Sequence, residues 1–423
     1  MSTAIVTGAT GITGTAVVGA LINSPDFTEV YTLSRSQKST PHPKVKHATL
    51  DFQTSADDMN KSLSHIPPVT HIFFCAYLAD PDEAEAARIN GSMLSNFLEA
   101  LTKSGQTKEL KRIVLTCGLK QYGVHLGQPK NPMREDDDPS LFWLEKEDRP
   151  PNFYYTQQRM LEKAAKDAGN KWTWTVTYPQ DVIGFAKANF MNLATSIGLY
   201  AAVSKELEGS KLIFPGNKIN YLAFNCWASA KIHAEFCLWA SNSSNAANQR
   251  FNVINGDTQS WQDLWPRLAA RFGCTVPEHM FPSDDGSGKE AYPGFESNSM
   301  KLHPRPPVSE VDAKLGLKGE FKQNEVNCQI DLQKWAKRPD VVKAWERLRD
   351  RYGLDQAAWD GATWDFLSFL LGRNYSNVAS ISKARKMGWY GYADTWDEFQ
   401  RTFRELEEAK MLPPAADLKG SHS

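Results

Sequence analysis

The sequence has few of the features that mark secreted, membrane or metal-binding proteins. Its six cysteines are scattered over 423 residues without CxxC pairs or dense spacing, which excludes a disulfide framework. No apolar run reaches the roughly 18 to 20 residues of a membrane span. The nine histidines lack HExxH or comparable ligand spacing. We therefore expect a cytoplasmic protein with reduced thiols, no membrane association and no bound metal.

The chain also lacks an excess of charge of either sign. Its 48 basic and 49 acidic residues give a formal net charge of -1, and no Lys/Arg block is long enough to follow a phosphate backbone. Nucleic acid is therefore an improbable partner, and a small molecule is expected instead. A homodimer is an open alternative to a monomer.

Short β-branched runs alternate with helical patterns in the first half of the chain. Such alternation predicts a parallel sheet with right-handed crossovers and helices on both faces, which is a Rossmann-type doubly wound α/β fold. The predicted strands are Ala4–Thr7, Val30–Ser34, Val45–Leu50, His71–Ala76, Arg112–Thr116 and Trp172–Tyr178, and the predicted helices include Ala16–Leu21, Glu83–Leu101 and Tyr155–Asp167.

The alternation fades after Tyr178, and the later part of the chain carries most of the Trp and Phe residues. We expect a nucleotide-binding domain over residues 1–188 and a smaller, mainly helical substrate-binding lobe over 189–415. Segments around 213–257 are expected to return to the sheet, and residues 416–423 to form a flexible tail. The loop 128–152 is rich in Pro, Asp and Glu, and its acidic run Glu135–Asp138 is expected to be solvated rather than to bind metal.

A glycine pattern follows the first predicted strand directly and opens a helix. Gly8 permits a tight turn, Gly11 lets the backbone approach a pyrophosphate, and Gly14 allows close helix packing. The helix N-terminus offers free N–H groups and a positive dipole end to phosphates. Thr10 and Ile12 lie within the same turn, so all five residues are candidate dinucleotide contacts.

The end of the second strand indicates which dinucleotide binds. It carries Ser34, Arg35 and Ser36 instead of an acidic residue, and these side chains suit a 2′-phosphate, so the sequence predicts NADP(H). An exposed loop cation is the alternative for Arg35. Asp51, after the third strand, is a candidate adenine contact or a plain loop residue. Further cofactor contacts are expected at Phe52, Ala76, Thr116, Pro179, Val182 and Ile183, the last two being alternatively a buried strand end.

Most short-chain dehydrogenases carry a hydroxyl residue after the fifth strand and a Tyr-x-x-x-Lys pair on the next helix. Here the fourth residue after Tyr155 is Arg159, and no lysine follows Tyr154 at that spacing either. Lys120 stands instead where the hydroxyl residue is usual.

This pairing of Gly-x-Lys-x-Tyr over residues 118–122 with Asn-Phe-Tyr-Tyr over 152–155 resembles the progesterone 5β-reductase and iridoid synthase family, the PRISE branch of the extended short-chain dehydrogenases. The resemblance covers roughly residues 4 to 275, with a looser match at Ser380–Gly391. Departures are a longer and very acidic loop between the two motifs, Pro150-Pro151 before the second motif, and a longer C-terminal lobe. Further matching motifs are Asn90–Leu94, Thr173–Thr175, Ile183–Phe185, Phe214–Gly216 and Trp261–Phe272.

The resemblance implies NADPH-dependent 1,4-reduction of an enone or enal in a hydrophobic small molecule. The family's catalytic lysine falls on Lys120 and its tyrosine on Tyr155, which would donate a hydrogen bond to the developing oxyanion. Tyr154 is expected to be a packing residue. Candidate substrate contacts, for which core packing is the alternative, are Tyr122, Phe142, Trp143, Phe190, Met191, Tyr200 and Trp364.

Three other activities stay open on the sequence alone. The same site could reduce a carbonyl or epimerise a substrate, as other short-chain dehydrogenases do. It could belong to a cyclase or isomerase that handles a reactive enolate. It could also hold NADP(H) as a sensor without turnover.

Overall fold

The computed structural model describes residues 2–35, 42–187, 191–282 and 285–420, and its centre is a seven-stranded parallel sheet. The strands are β1 Ser2–Thr7, β2 Phe27–Ser34, β3 Val45–Thr49, β4 His71–Phe74, β5 Arg112–Thr116, β6 Thr173–Pro179 and β7 Gln249–Val253. Their order is β3-β2-β1-β4-β5-β6-β7, and each neighbouring pair is parallel. This arrangement confirms the doubly wound α/β fold predicted from the sequence.

Helices cover the sheet and build the rest of the chain, with one antiparallel strand pair, β8 Asn298–Lys301 and β9 Glu325–Cys328. The helices are α1 Ile12–Asn23, α2 Ala56–Leu63, α3 Glu83–Lys103, α4 Pro139–Phe142, α5 Phe153–Asp167, α6 Leu193–Glu206, α7 Lys218–Leu222, α8 Ala230–Asn242, α9 Trp261–Arg271, α10 Leu332–Trp335, α11 Pro339–Tyr352, α12 Gln356–Asp360, α13 Trp364–Gly372, α14 Ser382–Lys386, α15 Thr395–Glu408 and α16 Ala415–Gly420.

Both faces of the sheet are buried, as a parallel sheet requires. On one face, α1 and α8 pack against β1, β4 and β5 through residues such as Val17 and Ala234. On the other face, α2, α3 and α5 supply residues such as Phe97 and Leu161. The chain reverses its direction of winding between β3 and β4, so the crevice at the carboxyl ends of β1 and β4 is the position where this fold class binds ligands.

The C-terminal region is mainly helical, in agreement with the sequence. Its core joins α6, α9, α11, α13 and α15 around large side chains that include Phe214, Trp265 and Trp345. Helix α8 and strand β7 return from this part of the chain to the sheet. None of the described helices is long and apolar enough to cross a membrane.

Two segments expected to be mobile or solvated are packed. Part of the expected tail forms α16, whose Leu418 is fully buried in the lobe core because its apolar side chain fills space there. In the acidic loop, the Glu135 carboxylate accepts a hydrogen bond at 2.7 Å from the backbone N–H of Asn252 in β7. Asp138 caps α4. Residues 421–423 lie outside the described range.

Candidate active site

The glycine turn between β1 and α1 leaves no room for side chains. Gly8 has a φ of +62°, and a Cβ on it would lie 2.6 Å from the carbonyl oxygen of Cys75. A Cβ on Gly14 would lie 2.1 Å from the carbonyl oxygen of Gly8. Any larger residue would therefore push the turn away from β4 or the helix away from the turn.

Helix α1 begins at this turn, and no side chain of the described residues caps its first N–H groups. Gly11 is the N-cap and supplies no side chain to the first turn, which also contains no acidic residue. Ile12 is buried, and its Cγ2 would lie 2.6 Å from a Cβ on Gly184, so the segment after β6 packs on the first turn of the helix. The cradle and the free N–H groups fit the pyrophosphate of a dinucleotide.

The predicted cofactor residues after β2 and β3 lie at the same carboxyl edge of the sheet. Ser34 is half-buried at the end of β2, and Arg35 is exposed directly after it. Ser36 lies outside the described residues. Asp51 is exposed after β3, where its carboxylate accepts a hydrogen bond from the N–H of Gln53 at 3.0 Å.

Phe52 does not fit a cofactor contact through its side chain. The ring is buried, with its centroid 5.8 Å from that of Phe74 and 5.4 Å from that of Phe97. Phe52 is a core aromatic, because burial between β4 and α3 removes its apolar ring from water.

The ends of β4, β5 and β6 come together beside the glycine turn. The N–H of Ala76 donates to the Thr7 hydroxyl at 3.1 Å, which fixes the segment after β4 against β1. Thr116 ends β5 and Pro179 ends β6. Beyond β6, Val182 is half-buried against α1, and Ile183 is fully buried and pairs through its N–H with the carbonyl oxygen of Ala228 at 2.9 Å.

Lys120 lies on a short 3₁₀ helix, Leu119–Tyr122, that begins after β5. Its side chain is 42% exposed, and Nζ is 3.9 Å from Oε1 of Glu83. Burial lowers the pKa of the Lys120 ammonium, and the Glu83 carboxylate opposes that effect. Lys120 therefore lies at the carboxyl edge of the sheet, beside the start of α3.

Tyr155 faces inward. Its side chain is 2% exposed, its hydroxyl donates to the backbone carbonyl of Gln121 at 2.9 Å, and its ring meets that of Trp143 edge-on at 5.5 Å. Burial raises the pKa of the Tyr155 phenol to about 12. A hydroxyl already used in this way does not fit donation to a substrate.

Tyr154 reaches the edge of the sheet instead. Its Oη lies 3.1 Å from the position of a Cβ on Gly118, the residue that leads from β5 into the 3₁₀ helix. Within residues 2–35, 42–187, 191–282 and 285–420, no group hydrogen-bonds to this hydroxyl. Sequence reasoning expected Tyr154 to be a packing residue, since spacing alone does not say which of two adjacent tyrosines points towards β5.

The predicted substrate residues after β5 are part of the core. The Tyr122 hydroxyl donates to Oδ1 of Asn252 at 2.8 Å, and its ring packs edge-on against Phe142 and Tyr178. Phe142 is buried, and Trp143 packs on Tyr155. These positions fit packing rather than substrate contact, because the rings pack on one another in the core beside β6 and α5.

Of the remaining predicted substrate residues, those that the structure describes do not form one pocket. Tyr200 is buried in the lobe, where its hydroxyl donates to the carbonyl oxygen of Ile213 at 2.9 Å, so it too fits packing. Trp364 packs edge-on on Trp335 in the same core. Met191 is half-buried with a φ of +63°. Phe190 lies outside the described residues.

Comparison with known proteins shows the family to which the chain is related. Residues 4–294 match the model of the PRISE-like Rossmann-fold domain. An uncharacterized protein of Schizosaccharomyces pombe is 36% identical over 97% of this chain and 98% of its own length. The short-chain dehydrogenase gsfE of Penicillium aethiopicum is 31% identical over 97% and 99%. The 3-oxo-Δ4,5-steroid 5β-reductase of Arabidopsis thaliana is 33% identical over 97% and 93%.

Solved structures resemble the chain in fold at low identity. The structure of gox2253 is 14% identical with a TM-score of 0.56, covering 97% of this chain and 100% of its own. The epimerase Mth375 of Methanothermobacter thermautotrophicus is 12% identical with a TM-score of 0.55, covering 96% and 92%. These structures show the fold alone. Because residues 4–294 match the family model, and relatives that cover nearly the whole chain are more than 30% identical, the chain belongs to the PRISE family of extended short-chain dehydrogenases and reductases, a family of Rossmann-fold oxidoreductases.

Proposed function

We propose that this protein is an NADPH-dependent reductase of activated C=C bonds, acting on an enone or enal in a hydrophobic small molecule. The observation that carries the proposal is the Tyr154 hydroxyl, 3.1 Å from the Cβ position of Gly118 at the carboxyl end of β5. A phenol at this position can meet the oxygen of an acceptor bound over the dinucleotide crevice. The relative named as a 3-oxo-Δ4,5-steroid 5β-reductase supports the same reaction class.

NADP(H) is the dinucleotide that the residues favour. Arg35 is exposed directly after β2, and Ser34 replaces the acidic residue that would select a free ribose hydroxyl. When bound, NADPH supplies the hydride for the reaction. The glycine cradle and the first turn of α1 are expected to hold its pyrophosphate.

Tyr154 is proposed as the oxyanion donor in place of Tyr155. As hydride reaches the β-carbon of an enone, negative charge accumulates on the former carbonyl oxygen, so a donor at that oxygen stabilises the transition state more than the ground state. Burial, together with nearby Cys117 and Tyr77, raises the pKa of the Tyr154 phenol, so it keeps its proton and can donate it in a hydrogen bond.

Lys120 is proposed to add positive charge at the same edge. Its backbone is tied to the start of α5, because Nδ2 of Asn152 donates to the Lys120 carbonyl oxygen at 2.8 Å. An ammonium here stabilises the negative charge that develops on the oxyanion. The α-carbon then takes a proton from water.

An exposed aromatic surface beside the donor supports a hydrophobic substrate. Tyr77 follows β4, is 41% exposed, and stacks on Phe153 with ring centroids 5.6 Å apart and planes at 21°. Phe153 in turn packs edge-on against Tyr154 at 4.6 Å. A planar unsaturated ring or chain could lie against Tyr77 while its oxygen meets Tyr154.

Isotope transfer tests the reaction. The enzyme would be supplied with NADPH deuterated at the transferred position and with a panel of enones, enals and saturated ketones, and the products identified by NMR and mass spectrometry. Deuterium on the β-carbon of a saturated ketone or aldehyde is the expected result. Deuterium on a carbinol carbon would instead identify a carbonyl reductase and overturn the proposal.

A further inference from the structure

One carboxylate oxygen at the mouth of the candidate site lies between two nitrogen-bearing side chains. Glu83 is in the first turn of α3, which follows the loop after β4. Its Oε1 is 3.9 Å from Nζ of Lys120 and 4.0 Å from Nε2 of His125. Lys120 and His125 belong to one segment, the 3₁₀ helix after β5 and the turn that follows it, and Glu83 opens α3, so the cluster forms where that segment meets α3 at the carboxyl edge of the sheet.

We infer that Glu83 is a positioning residue of the reaction, whose carboxylate holds the Lys120 side chain in place at the carboxyl end of β5. The inference rests on the proposed function, in which Lys120 supplies positive charge beside the oxyanion donor. Glu83 touches neither substrate nor cofactor in this role and acts through Lys120.

The Glu83 carboxylate counteracts the effect of burial on the ionisation of Lys120. Burial lowers the pKa of Lys120, and the Glu83 carboxylate is the group that raises it. An opposite charge at this distance favours the ionised form of its partner. Among the described residues, the other titratable or charged groups that face the cluster are His125, Arg149 and Tyr77, and the pKa of Tyr77 is raised by burial and by Glu83.

His125 leaves the negative charge of Glu83 available to Lys120. Its side chain is 14% exposed, and Nδ1 is buried without a hydrogen-bond partner among the described residues. Burial and the nearby cations Lys120 and Arg149 hold the pKa of His125 well below its ordinary value, so the ring is neutral. Arg149 is itself paired with Glu310 at 2.7 Å. The neutral imidazole therefore does not compete with Lys120 for the charge of the Glu83 carboxylate.

The same helix offers a matched control. Glu85 is also in the first turn of α3, and it pairs with Arg88 one turn later. If Glu83 only complemented the helix dipole, Glu85→Gln would have the same consequences as Glu83→Gln. A difference between the two variants isolates the contact with Lys120.

The ionisation of Lys120 can be measured without turnover. Competitive acetylation with trace acetic anhydride across pH, followed by peptide mass spectrometry, gives the pKa of Lys120 in the full-length protein. In Glu83→Gln we expect this pKa to fall by about one pH unit, as expected for loss of an opposite charge at close range. Glu85→Gln and His125→Gln remove no charge that stabilises the Lys120 ammonium, so the pKa of Lys120 should be unchanged in both variants.

Activity then gives an independent reading. The alkaline limb of kcat/KM for an enone should move to lower pH in Glu83→Gln by the same amount and stay in place in Glu85→Gln. An unchanged Lys120 pKa in folded Glu83→Gln, or an equal fall in His125→Gln, would overturn the inference. Absence of enone turnover in the wild type would overturn the proposed function, while the acetylation result would still decide the role of Glu83.

Discussion

The side chain of Asn152 connects to the backbone of Lys120, with Nδ2 donating to the Lys120 carbonyl oxygen at 2.8 Å. Its other side-chain atom, Oδ1, accepts from the N–H of Tyr154 at 3.1 Å and caps α5. One amide thus sets the position of the 3₁₀ helix that carries the cation and of the helix that carries the phenol.

Two substitutions separate these roles of Asn152. Asn152→Asp keeps the capping oxygen and loses the donor to Lys120, whereas Asn152→Ala loses both and costs about 1 kcal/mol of unfolding free energy for the missing cap. Both should lower kcat about tenfold or more, because small misplacements of reacting groups are costly. Urea unfolding and steady-state kinetics measure the two effects. Full activity in Asn152→Asp would contradict the positioning role.

Substitutions of Tyr154 and Tyr155 should have opposite effects on catalysis and stability. Tyr154→Phe should lower kcat about 10²- to 10³-fold, as loss of an oxyanion donor does, while NADPH still binds. Tyr155→Phe should cost about 1 kcal/mol of stability through the lost hydrogen bond to Gln121, with little change in kcat. Enone kinetics, NADPH fluorescence titration and urea unfolding would be compared for both. A large loss of kcat in Tyr155→Phe alone would return the donor role to Tyr155.

A side chain at Gly118 should lower the activity of the enzyme. A Cβ there would lie 3.1 Å from Oη of Tyr154, which forces the hydroxyl to shift. We expect Gly118→Ala to lower kcat about tenfold, because the donor moves from its position, with NADPH affinity retained. Gly91→Ala in α3 is the control, since its Cβ would meet only a methyl of Thr156 at 3.8 Å. Equal activity of the two variants would show that Tyr154 has no fixed role.

Selection of the dinucleotide is tested at Arg35. Arg35→Glu should raise the Kd of NADPH far more than that of NADH, because a carboxylate repels the 2′-phosphate and suits free ribose hydroxyls. Lys108→Glu makes the same charge change on an exposed residue just before β5, at the opposite end of the sheet. Fluorescence titration gives both Kd values. An unchanged NADPH to NADH ratio in Arg35→Glu would remove Arg35 from the site.

Glu135 should make stability depend on pH. Burial raises its pKa to about 7 from an ordinary value of 4.5, so the folded state holds a proton that the unfolded state has lost between those values. Stability from this group is present below pH 4.5 and lost as pH rises through 7. Glu135→Gln keeps an acceptor for the N–H of Asn252 and does not ionise. It should match the wild type at pH 4 and be about 1–3 kcal/mol more stable at pH 8.

Urea unfolding at the two pH values measures this difference. The control is Asp136→Asn, because the ion pair with Arg134 lowers the pKa of that exposed carboxyl and no gain at pH 8 is expected. If Glu135→Gln is no more stable than the wild type at pH 8, Glu135 is ionised in the folded protein without cost.

The sequence by itself determined the fold and the family. The alternation of strands and helices, and the glycine turn at Gly8 and Gly14, are local patterns of the sequence. They can be recognised without knowing how the elements pack. The motifs around Lys120 and residues 152–155 were equally readable, because each is a short run of adjacent residues.

Only the tertiary structure decided which residues meet. Neighbouring helix positions point about 100° apart. Packing of α5 against β6 and the 3₁₀ helix after β5 therefore brings the Tyr154 hydroxyl to Gly118 and the Tyr155 hydroxyl to Gln121. Glu83 and Lys120 lie 3.9 Å apart although they are distant in sequence, because the start of α3 and the end of β5 share one edge of the sheet. Such contacts depend on the packing of whole elements, which no spacing within one segment encodes.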